Sequence, residues 1–349
     1  MNHMQHVWPV VGHNFVQEYL EKSLISGKIS HAYIFHGPGH IGKAPLVRFF
    51  VAALVCQSRH DRGQTPGSFS AVACGVCPSC LSWQKSTHHS DVYWFDQAAD
   101  AGARSAISIQ TVRELHKHET VSTFFSPYKI GVIDGAQFLT LEASNALLKM
   151  LEEPPKNAVV ILIAETLHHL PKTLISRCHI VPMFPVGQGA LYPWLVDRLG
   201  DREDALNLSR ESFGRPGKAL AFVADPSLRA DFHKVVVWWL EIFEAESLAQ
   251  RFGRLDSAWP RSLAGQSLRN WAQNMIVHGT TVARDVIYLQ LGHEEYVHSP
   301  SFSGRLRSVA QKYETVELLF HIDRLQKAQE SLRKNMQPKL LFDSLLASL

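Results

Sequence analysis

Residues 37–44 read GPGHIGKA, in which two glycines with four residues between them precede a lysine. This is the spacing of a phosphate-binding P-loop, whose backbone N–H groups and following helix bind phosphate while the lysine reaches the outer phosphates. The motif normally continues with serine or threonine, whose hydroxyl holds Mg²⁺, but this chain has Ala44. The stretch predicts a nucleotide site without its magnesium ligand; a chance match in a turn rich in glycine and proline is the alternative.

The residues on either side favour the P-loop interpretation. Residues 32–35 are a short β-prone run that ends at the glycines, and residues 46–55 are apolar enough for a buried helix. Pro45 is compatible with this helix because proline is tolerated in a first turn. The segment therefore has the order strand, loop, helix that the motif requires.

A second part of the predicted site lies about 90 residues beyond the lysine. Residues 129–134 read KIGVID, an apolar run ending in Asp134, where P-loop NTPases carry the carboxylate that holds magnesium. The next residue is normally a glutamate that activates the attacking water, and here it is Gly135. A second chemical group is thus missing, independently of Ala44.

Strand and helix patterns alternate through the first half of the chain. The continuous β-branched run at residues 159–164 is typical of a strand buried on both faces of a parallel sheet. This alternation predicts a doubly wound α/β domain. The remaining predicted elements are a strand at residues 91–95 and helices at residues 109–119 and 141–151, the last stopped by Pro154 and Pro155.

Four of the five cysteines have the spacing of metal ligands. Cys74, Cys77 and Cys80 form a C-x-x-C-x-x-C cluster, and Cys56 follows the predicted P-loop helix. Four thiolates complete the tetrahedral set of a structural zinc site, which would fix the chain between Cys56 and Cys80. A redox-active C-x-x-C pair is the alternative. We expect residues 59–70, between the first two ligands, to form a polar loop.

Composition excludes several classes of protein. The chain has 349 residues, of which 46% are hydrophobic, and this length suggests two or three domains. Neither a membrane span nor a signal peptide is evident, so we expect a cytoplasmic protein without membrane contact. A net charge of +3 gives this chain little electrostatic hold on nucleic acid, and the segment from Cys74 to Cys80 has no basic residue, so a zinc-dependent DNA-binding protein ranks last.

The histidines and the second half of the chain suggest no chemistry of their own. Three histidine groups lack metal-ligand spacing and are expected at the surface: His88 with His89, His116 with His118, and His168 with His169. A linker is predicted from Pro185, Gly187, Gly189 and Pro193, followed by amphipathic helices at residues 206–213, 231–246, 268–278 and 318–334. Trp238 and Trp239 are expected to pack in a core or interface rather than to stack on bases.

The motifs together resemble the clamp-loader branch of the AAA+ ATPases, and within it the delta-prime type of bacterial DNA polymerase III. The most specific stretch is residues 143–155, ASNALLKMLEEPP. Similarity to other family motifs is found nearly from end to end, in residues 10–13 (VVGH), 27–33 (GKISHAY), 174–178 (LISRC), 214–220 (GRPGKAL) and 335–341 (NMQPKLL).

The resemblance implies a domain plan and roles for individual residues. It implies an AAA+ P-loop domain at residues 1–184 with a zinc module at about 56–80, a helical lid at 185–226 and an all-α collar at 227–349. Arg177 would act as an arginine finger in a neighbour's ATP site, and Arg215 would face bound nucleotide. The other expected nucleotide-site residues are Gly37, Pro38, Gly39, His40, Ile41, Gly42, Lys43, Ala44 and Asp134.

The resemblance also implies partners. The chain would join gamma or tau and delta subunits in a five-subunit ring that places the sliding clamp on primed DNA. The cysteine cluster is expected to hold zinc as a structural ion. Because Ala44 and Gly135 replace chemical groups of the motor subunit, we expect weak or no binding of Mg-ATP and negligible hydrolysis. A catalytically active ATPase subunit of the gamma or tau type is the alternative.

Overall fold

The computed structural model describes residues 8–61, 72–85, 89–100 and 106–349. The chain divides into two compact units. The first runs from Met1 to Leu191 and includes Arg215–Gly217; the second comprises Tyr192–Gly214 and Lys218–Leu349. The finer division into three domains stays a prediction.

The first unit is built on a five-stranded parallel sheet. Its strands are β1 (Ala32–His36), β2 (Val92–Asp96), β3 (Lys129–Asp134), β4 (Ala158–Ala164) and β5 (His179–Pro182). Their order across the sheet is β2-β3-β4-β1-β5, and every neighbouring pair is parallel. The carboxyl ends of all five strands therefore lie at one edge of the sheet.

Helices connect the strands and make up the second half of the chain. In chain order, α1–α9 are Asn14–Ser26, Lys43–Val55, Gln57–Asp61, Pro78–Lys85, Gln97–Asp100, Ile109–Thr120, Leu141–Glu152, Lys172–Ile175 and Gln188–Leu199. Next come α10–α17, which are Arg202–Glu211, Pro216–Ala224, Pro226–Glu244, Leu248–Ala258, Gly265–Gln290, Ser303–Lys312, Thr315–Arg333 and Pro338–Ser348. Short 3-10 turns lie at Ala136–Phe138, Glu294–Tyr296 and Pro300–Phe302.

The sheet is buried on both faces. Tyr33 and Phe35 of β1 pack in one apolar core with Phe50 of α2, whereas Ile34 lies in a second core with Leu147 of α7. Because successive side chains of a strand point to opposite faces, a strand that is apolar throughout needs helices on both sides. The predicted α/β fold is confirmed.

The second unit is built from helices, with Trp239 in its core. Trp239 of α12 is fully buried, and its indole N–H donates to the Met275 carbonyl of α14 at 2.7 Å. Trp238 is 7% exposed and its indole N–H donates to the Arg254 carbonyl. The prediction that both tryptophans serve packing is confirmed.

The helices of the second unit are confirmed in type but begin earlier than predicted. For example, α10 begins at Arg202, and the Asp201 side chain accepts hydrogen bonds from the N–H groups of Glu203 and Asp204. Such capped first turns are polar, so apolar periodicity does not reveal them. The predicted linker is wrong at Gly189 and Pro193, which lie inside α9.

One short strand and one buried histidine also depart from the predictions. β5 is absent from the predicted elements because its four residues carry too short a pattern. His89 is only 4% exposed, so its predicted surface location is wrong. Of the other paired histidines, His118 is half-buried, His88 lies outside the described residues, and the surface prediction is confirmed for His116, His168 and His169.

The membrane prediction concerns helix length and apolarity. Among the helices of the described residues, none combines the length and the apolar character that a bilayer crossing requires.

Gly279 of α14 provides a test of the core of the second unit. A Cβ atom at this position would lie 2.5 Å from Cε2 and Cζ2 of Trp239. Gly279→Ala should therefore lower the free energy of unfolding by about 1–3 kcal/mol, the usual cost of an overpacked core. The measurement is the urea midpoint followed by tryptophan fluorescence.

Gly253 of α13 is the matched control. A Cβ atom there would meet nothing within 4 Å, so Gly253→Ala should raise stability by about 0.5–1 kcal/mol through helix propensity. A Gly279→Ala protein as stable as Gly253→Ala would contradict the described packing of Trp239.

Glu119 of α6 is a buried carboxyl group beside the sheet. It is 3% exposed, and neither carboxyl oxygen has a hydrogen-bond partner within the described ranges. A Cβ atom added to Gly131 of β3 would lie 2.9 Å from its Oε1. Burial raises the pKa of Glu119 to about 8, so the group is mainly protonated at neutral pH.

The raised pKa of Glu119 predicts a pH-dependent stability. Because the folded pKa lies above the ordinary value of 4.5, the contribution to stability is complete below pH 4.5 and is lost as the pH rises through 8. Glu119→Gln should therefore raise Tm above that of the unmodified protein at pH 8.5 and change it little at pH 4.5. Glu114→Gln, at an exposed position of the same helix, should show no such difference; equal effects of both variants would refute the assignment.

Candidate nucleotide and metal sites

The predicted P-loop lies at the carboxyl edge of the sheet, between β1 and α2. Gly37 begins the loop directly against the β5 side: a Cβ atom there would lie 2.1 Å from the Met183 carbonyl oxygen. The Gly37 N–H donates to Ala164 O on the β4 side at 3.3 Å. Only glycine fits at position 37, because the turn lies between the segments at the ends of β4 and β5.

Lys43 is engaged by the loop itself. Its Nζ donates to the carbonyl oxygens of Gly37 and Pro38, both at 2.7 Å, and the residue is 8% exposed. Burial lowers the pKa of Lys43, partly offset by the negative charges of Glu165 and Asp134. A phosphate that used this ammonium would have to replace its bonds to the loop carbonyls.

Carboxylates surround the space in front of the loop. A cavity of about 460 Å³ is lined by Lys43 and Ala44 of the loop region, by Asp96 and Asp134 at two strand ends, and by Glu165 after β4. Burial, with the Asp96 carboxylate nearby, raises the pKa of Asp134 to about 6, against the opposing charge of Lys43. Ala44 has no hydroxyl that could help to hold an Mg²⁺ ion, which would otherwise balance these negative charges.

Glu165 brings one of these charges against the loop. A Cβ atom at Gly39 would lie 2.7 Å from Glu165 Oε1, so the carboxylate occupies the face of the loop at Gly39. Phosphate and carboxylate are both anions, and their proximity disfavours phosphate binding. Sequence reasoning missed Glu165, although its position directly after a buried strand was a usable signal.

The backbone at position 135 disfavours the usual glutamate. Gly135 has φ 91°, in the left-handed region, and its N–H donates to Ile163 O at 3.0 Å. A Cβ atom there would lie 2.7 Å from Cβ of Gln97, a residue that sequence reasoning did not single out. The backbone is therefore built for glycine, and the loss of the glutamate is more than a side-chain exchange.

Two distant segments of the chain contact the P-loop. Gly217 donates from its N–H to the His40 carbonyl at 2.8 Å, next to Arg215, whose charge contributes to lowering the pKa of Lys43. The Nε–H of Arg215 is buried without a partner in the described part of the chain. From the other side, a ring nitrogen of His13 lies 3.2 Å from the Ile41 carbonyl. Arg215 thus lies near the loop, while the cavity lining does not include it.

Arg177 lies on the surface, apart from this cavity. It follows α8 and precedes β5, and its side chain is 38% exposed. Nη2 pairs with Glu152 Oε1 at 2.8 Å, and Nη1 donates to Thr173 O at 3.0 Å. Both partners are surface groups of the same chain, so the guanidinium is held in place yet accessible from solvent.

The four predicted metal ligands come together. The sulfur atoms of Cys56, Cys74, Cys77 and Cys80 lie within 4.8 Å of one another, and those of Cys74 and Cys80 are 3.9 Å apart. Tetrahedral zinc with Zn–S bonds of about 2.3 Å places its sulfurs roughly 3.8 Å apart. The cluster therefore fits a four-thiolate metal, whereas a redox pair would need only two of these thiols.

Hydrogen bonds to sulfur favour the thiolate form. The N–H of Cys74 donates to Cys56 Sγ, and the N–H of Cys77 donates to Cys74 Sγ, both at 3.3 Å. The Cys80 thiol and the Cys74 N–H hold the pKa of the Cys56 thiol well below its ordinary value, and the same contact raises the pKa of Cys80, so without a metal the two sulfurs share a proton. Thiolates are the form in which cysteine binds metal.

The cluster is fixed to the end of the P-loop helix. Cys56 is the residue directly after α2, and Ser79 of α4 donates from Oγ to the Val55 carbonyl at 2.6 Å. Arg59, 8% exposed, donates to Ala53 O at 3.1 Å and also to Leu24 O. The predicted polar loop is therefore wrong at Arg59, which is buried in α3; residues 62–70 of that loop lie outside the described residues.

Gly135→Glu tests whether the lost chemistry can be restored. Left-handed backbone costs a non-glycine residue of order 1–3 kcal/mol, and the Gln97 side chain must also move. We expect Gly135→Glu to lower the urea midpoint, alone or together with Ala44→Thr, and to give no ATPase activity. Ala44→Thr alone, at a half-buried position, should change the midpoint little. A stable, ATP-hydrolysing double variant would contradict the described backbone.

The chain is similar in sequence to subunits of DNA polymerase III. It is 32% identical over 169 residues to DNA polymerase III subunit tau of Bacillus subtilis, covering 48% of this chain and 27% of that protein. It is 31% identical over 173 residues to DNA polymerase III subunit delta' of Pseudomonas aeruginosa, covering 49% of this chain and 48% of that protein. The chain thus spans about a quarter of the first relative and about half of the second.

A solved structure and a family model also match the chain. The gamma subunit-related protein of Thermotoga maritima matches with 17% identity and a TM-score of 0.43, covering 95% of this chain and 97% of that one. The family model described as "DNA polymerase III, delta subunit" matches residues 12–186, half of the chain, and includes the P-loop, Asp134, the four cysteines and Arg177. The chain therefore belongs to the DNA polymerase III delta subunit family.

Proposed function

We propose that this chain is a delta-prime-like subunit of the DNA polymerase III clamp loader, which hydrolyses little or no ATP itself and supplies Arg177 to a neighbouring subunit. The observation that carries the proposal is the P-loop site, which keeps Lys43 and Asp134 but lacks two of the usual chemical groups. Ala44 offers no magnesium ligand, and Gly135 stands in place of the water-activating glutamate, which the backbone there disfavours.

The charges around the loop support weak nucleotide binding. Lys43 is bonded to two loop carbonyls, and the Glu165 carboxylate lies against Gly39. A triphosphate must compete with the loop carbonyls for Lys43, and it is repelled by the carboxylate of Glu165. Arg215, close enough to affect the pKa of Lys43, acts in the opposite direction and favours an anion. We therefore propose that Mg-ATP binds weakly or not at all.

The position of Arg177 supports a role in another subunit's site. A planar guanidinium can neutralise charge that develops on a transferring phosphoryl group when it is supplied in trans. Arg177 does not line the cavity of its own chain, and its ion pair with Glu152 is exposed. Because exposed pairs contribute little free energy, a nucleotide phosphate of a neighbour can take Glu152's place.

The metal cluster has a structural role in this proposal. Four cysteines leave no open coordination position for a substrate, so zinc bound there fixes the module to the end of α2. Zinc is proposed because a compact four-thiolate site is typical of it.

The proposed partners follow from the family. Gamma or tau and delta subunits would complete the ring, with the collar of the second unit in the assembly, and the ring would load the sliding clamp on primed DNA in the cytoplasm. Lid and collar boundaries at residues 185 and 227 belong to this proposal.

Arg177→Ala in the reconstituted complex tests the central claim. ATP hydrolysis at the site that Arg177 enters should fall by about 10³-fold or more, the lower range for loss of an arginine finger, and the ATPase and clamp loading of the complex should fall with it. The variant chain itself should keep its Tm, because only an exposed ion pair is removed. Steady-state ATPase of the assembled complex is the measurement.

Two control variants separate the finger from its surroundings. Lys172→Ala removes an exposed cation five residues earlier in the same segment, and Glu152→Gln removes the intrachain partner while leaving the arginine in place. Both complexes should retain most of the ATPase activity. Full activity of the Arg177→Ala complex would refute the finger role.

The gamma or tau type is the second candidate, favoured by the 32% identity to a tau subunit. It predicts that the isolated chain binds Mg-ATP and turns it over, with both properties lost in Lys43→Ala. Calorimetric titration with ATP, with and without Mg²⁺, together with a turnover assay, decides between the two candidates. Turnover by the isolated chain would replace our proposal.

A further inference from the structure

A buried series of hydrogen bonds joins the four-cysteine cluster to the sheet through His89. Ser79 Oγ lies 2.9 Å from His89 Nε2, and the Asp91 N–H donates to His89 Nδ1 at 3.1 Å. Ser79 and Asp91 are fully buried and His89 is 4% exposed. His89 itself contributes no sulfur or nitrogen to the four-cysteine cluster.

The partners fix the tautomer of His89. A backbone N–H can only donate, so Nδ1 must accept from Asp91, and Nε2 therefore carries the proton. That proton is donated to Ser79 Oγ, whose own hydroxyl donates to Val55 O at 2.6 Å. Every polar atom of the series is satisfied in one arrangement, and burial lowers the pKa of His89, in agreement with a neutral ring.

The sheet end of the series is firmly held. The Asp91 carboxylate accepts hydrogen bonds from the N–H groups of Phe124, Phe125 and Ser126, at 2.7, 2.7 and 3.1 Å. Lys129 Nζ, at the start of β3, lies 3.1 Å from Asp91 Oδ1. These contacts fix the position of Asp91, and through the Asp91 N–H they fix His89, which in turn contacts Ser79.

The cluster end lies between two ligands. Ser79 precedes Cys80 directly, and Val55 precedes Cys56 directly. The hydrogen bond from Ser79 to Val55 therefore controls the spacing of Cys56 and Cys80, whose sulfurs must meet at one metal. Without His89, the Ser79 hydroxyl loses the N–H donor that helps to orient it. The buried space that the ring occupied is then lined by polar groups without their partner.

We propose that His89 is a positioning residue for the metal site, which sets the metal affinity by holding Ser79 without binding the metal. The inference rests on the proposed metal site. Residues that orient metal ligands typically account for 10–100-fold in affinity. His89→Ala should therefore weaken zinc binding by about tenfold or more.

Zinc competition is the test. The purified full chain and its variants are titrated with a chromophoric chelator at a temperature well below unfolding, and the zinc dissociation constant is measured. His116→Ala, at an exposed histidine of α6, is the matched control and should bind zinc like the unmodified chain. Tight binding by His89→Ala, equal to that of His116→Ala, overturns the inference.

Two conservative replacements locate the effect. In His89→Gln the amide N–H can still reach Ser79, whereas in His89→Asn the shorter amide can accept only from the Asp91 N–H. Glutamine should restore more zinc affinity than asparagine; the reverse order overturns the role of the Ser79 contact. Unfolding of the metal-free variants is measured in parallel, because a merely structural role would lower Tm and leave the zinc affinity unchanged.

Ser79→Ala keeps the inference testable if His89→Ala does not fold. Its loss of zinc affinity should match that of His89→Ala, and in a double variant the losses should not add. Additive losses overturn the inference. An unmodified chain that binds no zinc would instead refute the proposed metal site, and the two failures are thereby distinguishable.

Discussion

The position of β1 between β4 and β5 is the constraint on which the rest of the first unit depends. At the carboxyl end of β1, the His36 carbonyl accepts from the Met183 N–H at 2.8 Å, and Gly37 donates to Ala164. A turn this narrow excludes any side chain at position 37. It places the P-loop at the edge where Asp134 ends β3 and Glu165 follows β4, so the same pairing creates both the loop and its acidic surroundings.

At this site the P-loop backbone keeps its shape although two side chains usual for the motif are absent, at positions 44 and 135. Backbone pairing and apolar burial preserve the loop, and these contributions do not depend on a hydroxyl at Ala44. Internal contacts occupy this region: Lys43 bonds to loop carbonyls, and the Gln97 side chain lies beside Gly135. Such contacts stabilise the pocket without a ligand.

Sequence patterns within short segments predict most strands and motifs of this molecule. Contacts between segments that are distant in sequence depend on the strand pairing, and these patterns do not predict them. The P-loop, four strands and the cysteine cluster rest on spacing within short segments, which sequence displays directly. The carboxylate of Glu165 reaches Gly39 only because β4 pairs with β1, and Gln97 reaches Gly135 only because β2 pairs with β3. His89 is polar and precedes a strand, so no periodicity distinguishes it from a surface residue.

Side-chain hydrogen bonds tie both ends of the helix α2 to neighbouring segments. Helix ends normally carry carbonyls without internal partners, and they are the first parts of a helix to open. In α2 the Ala53 carbonyl is bound by Arg59 and the Val55 carbonyl by Ser79, while Lys43 closes the opposite end onto the loop. Amide hydrogens along this apolar helix should exchange as one cooperative block instead of fraying from its ends. The segments that carry the cysteine cluster thereby help to hold the C-terminal end of the P-loop helix.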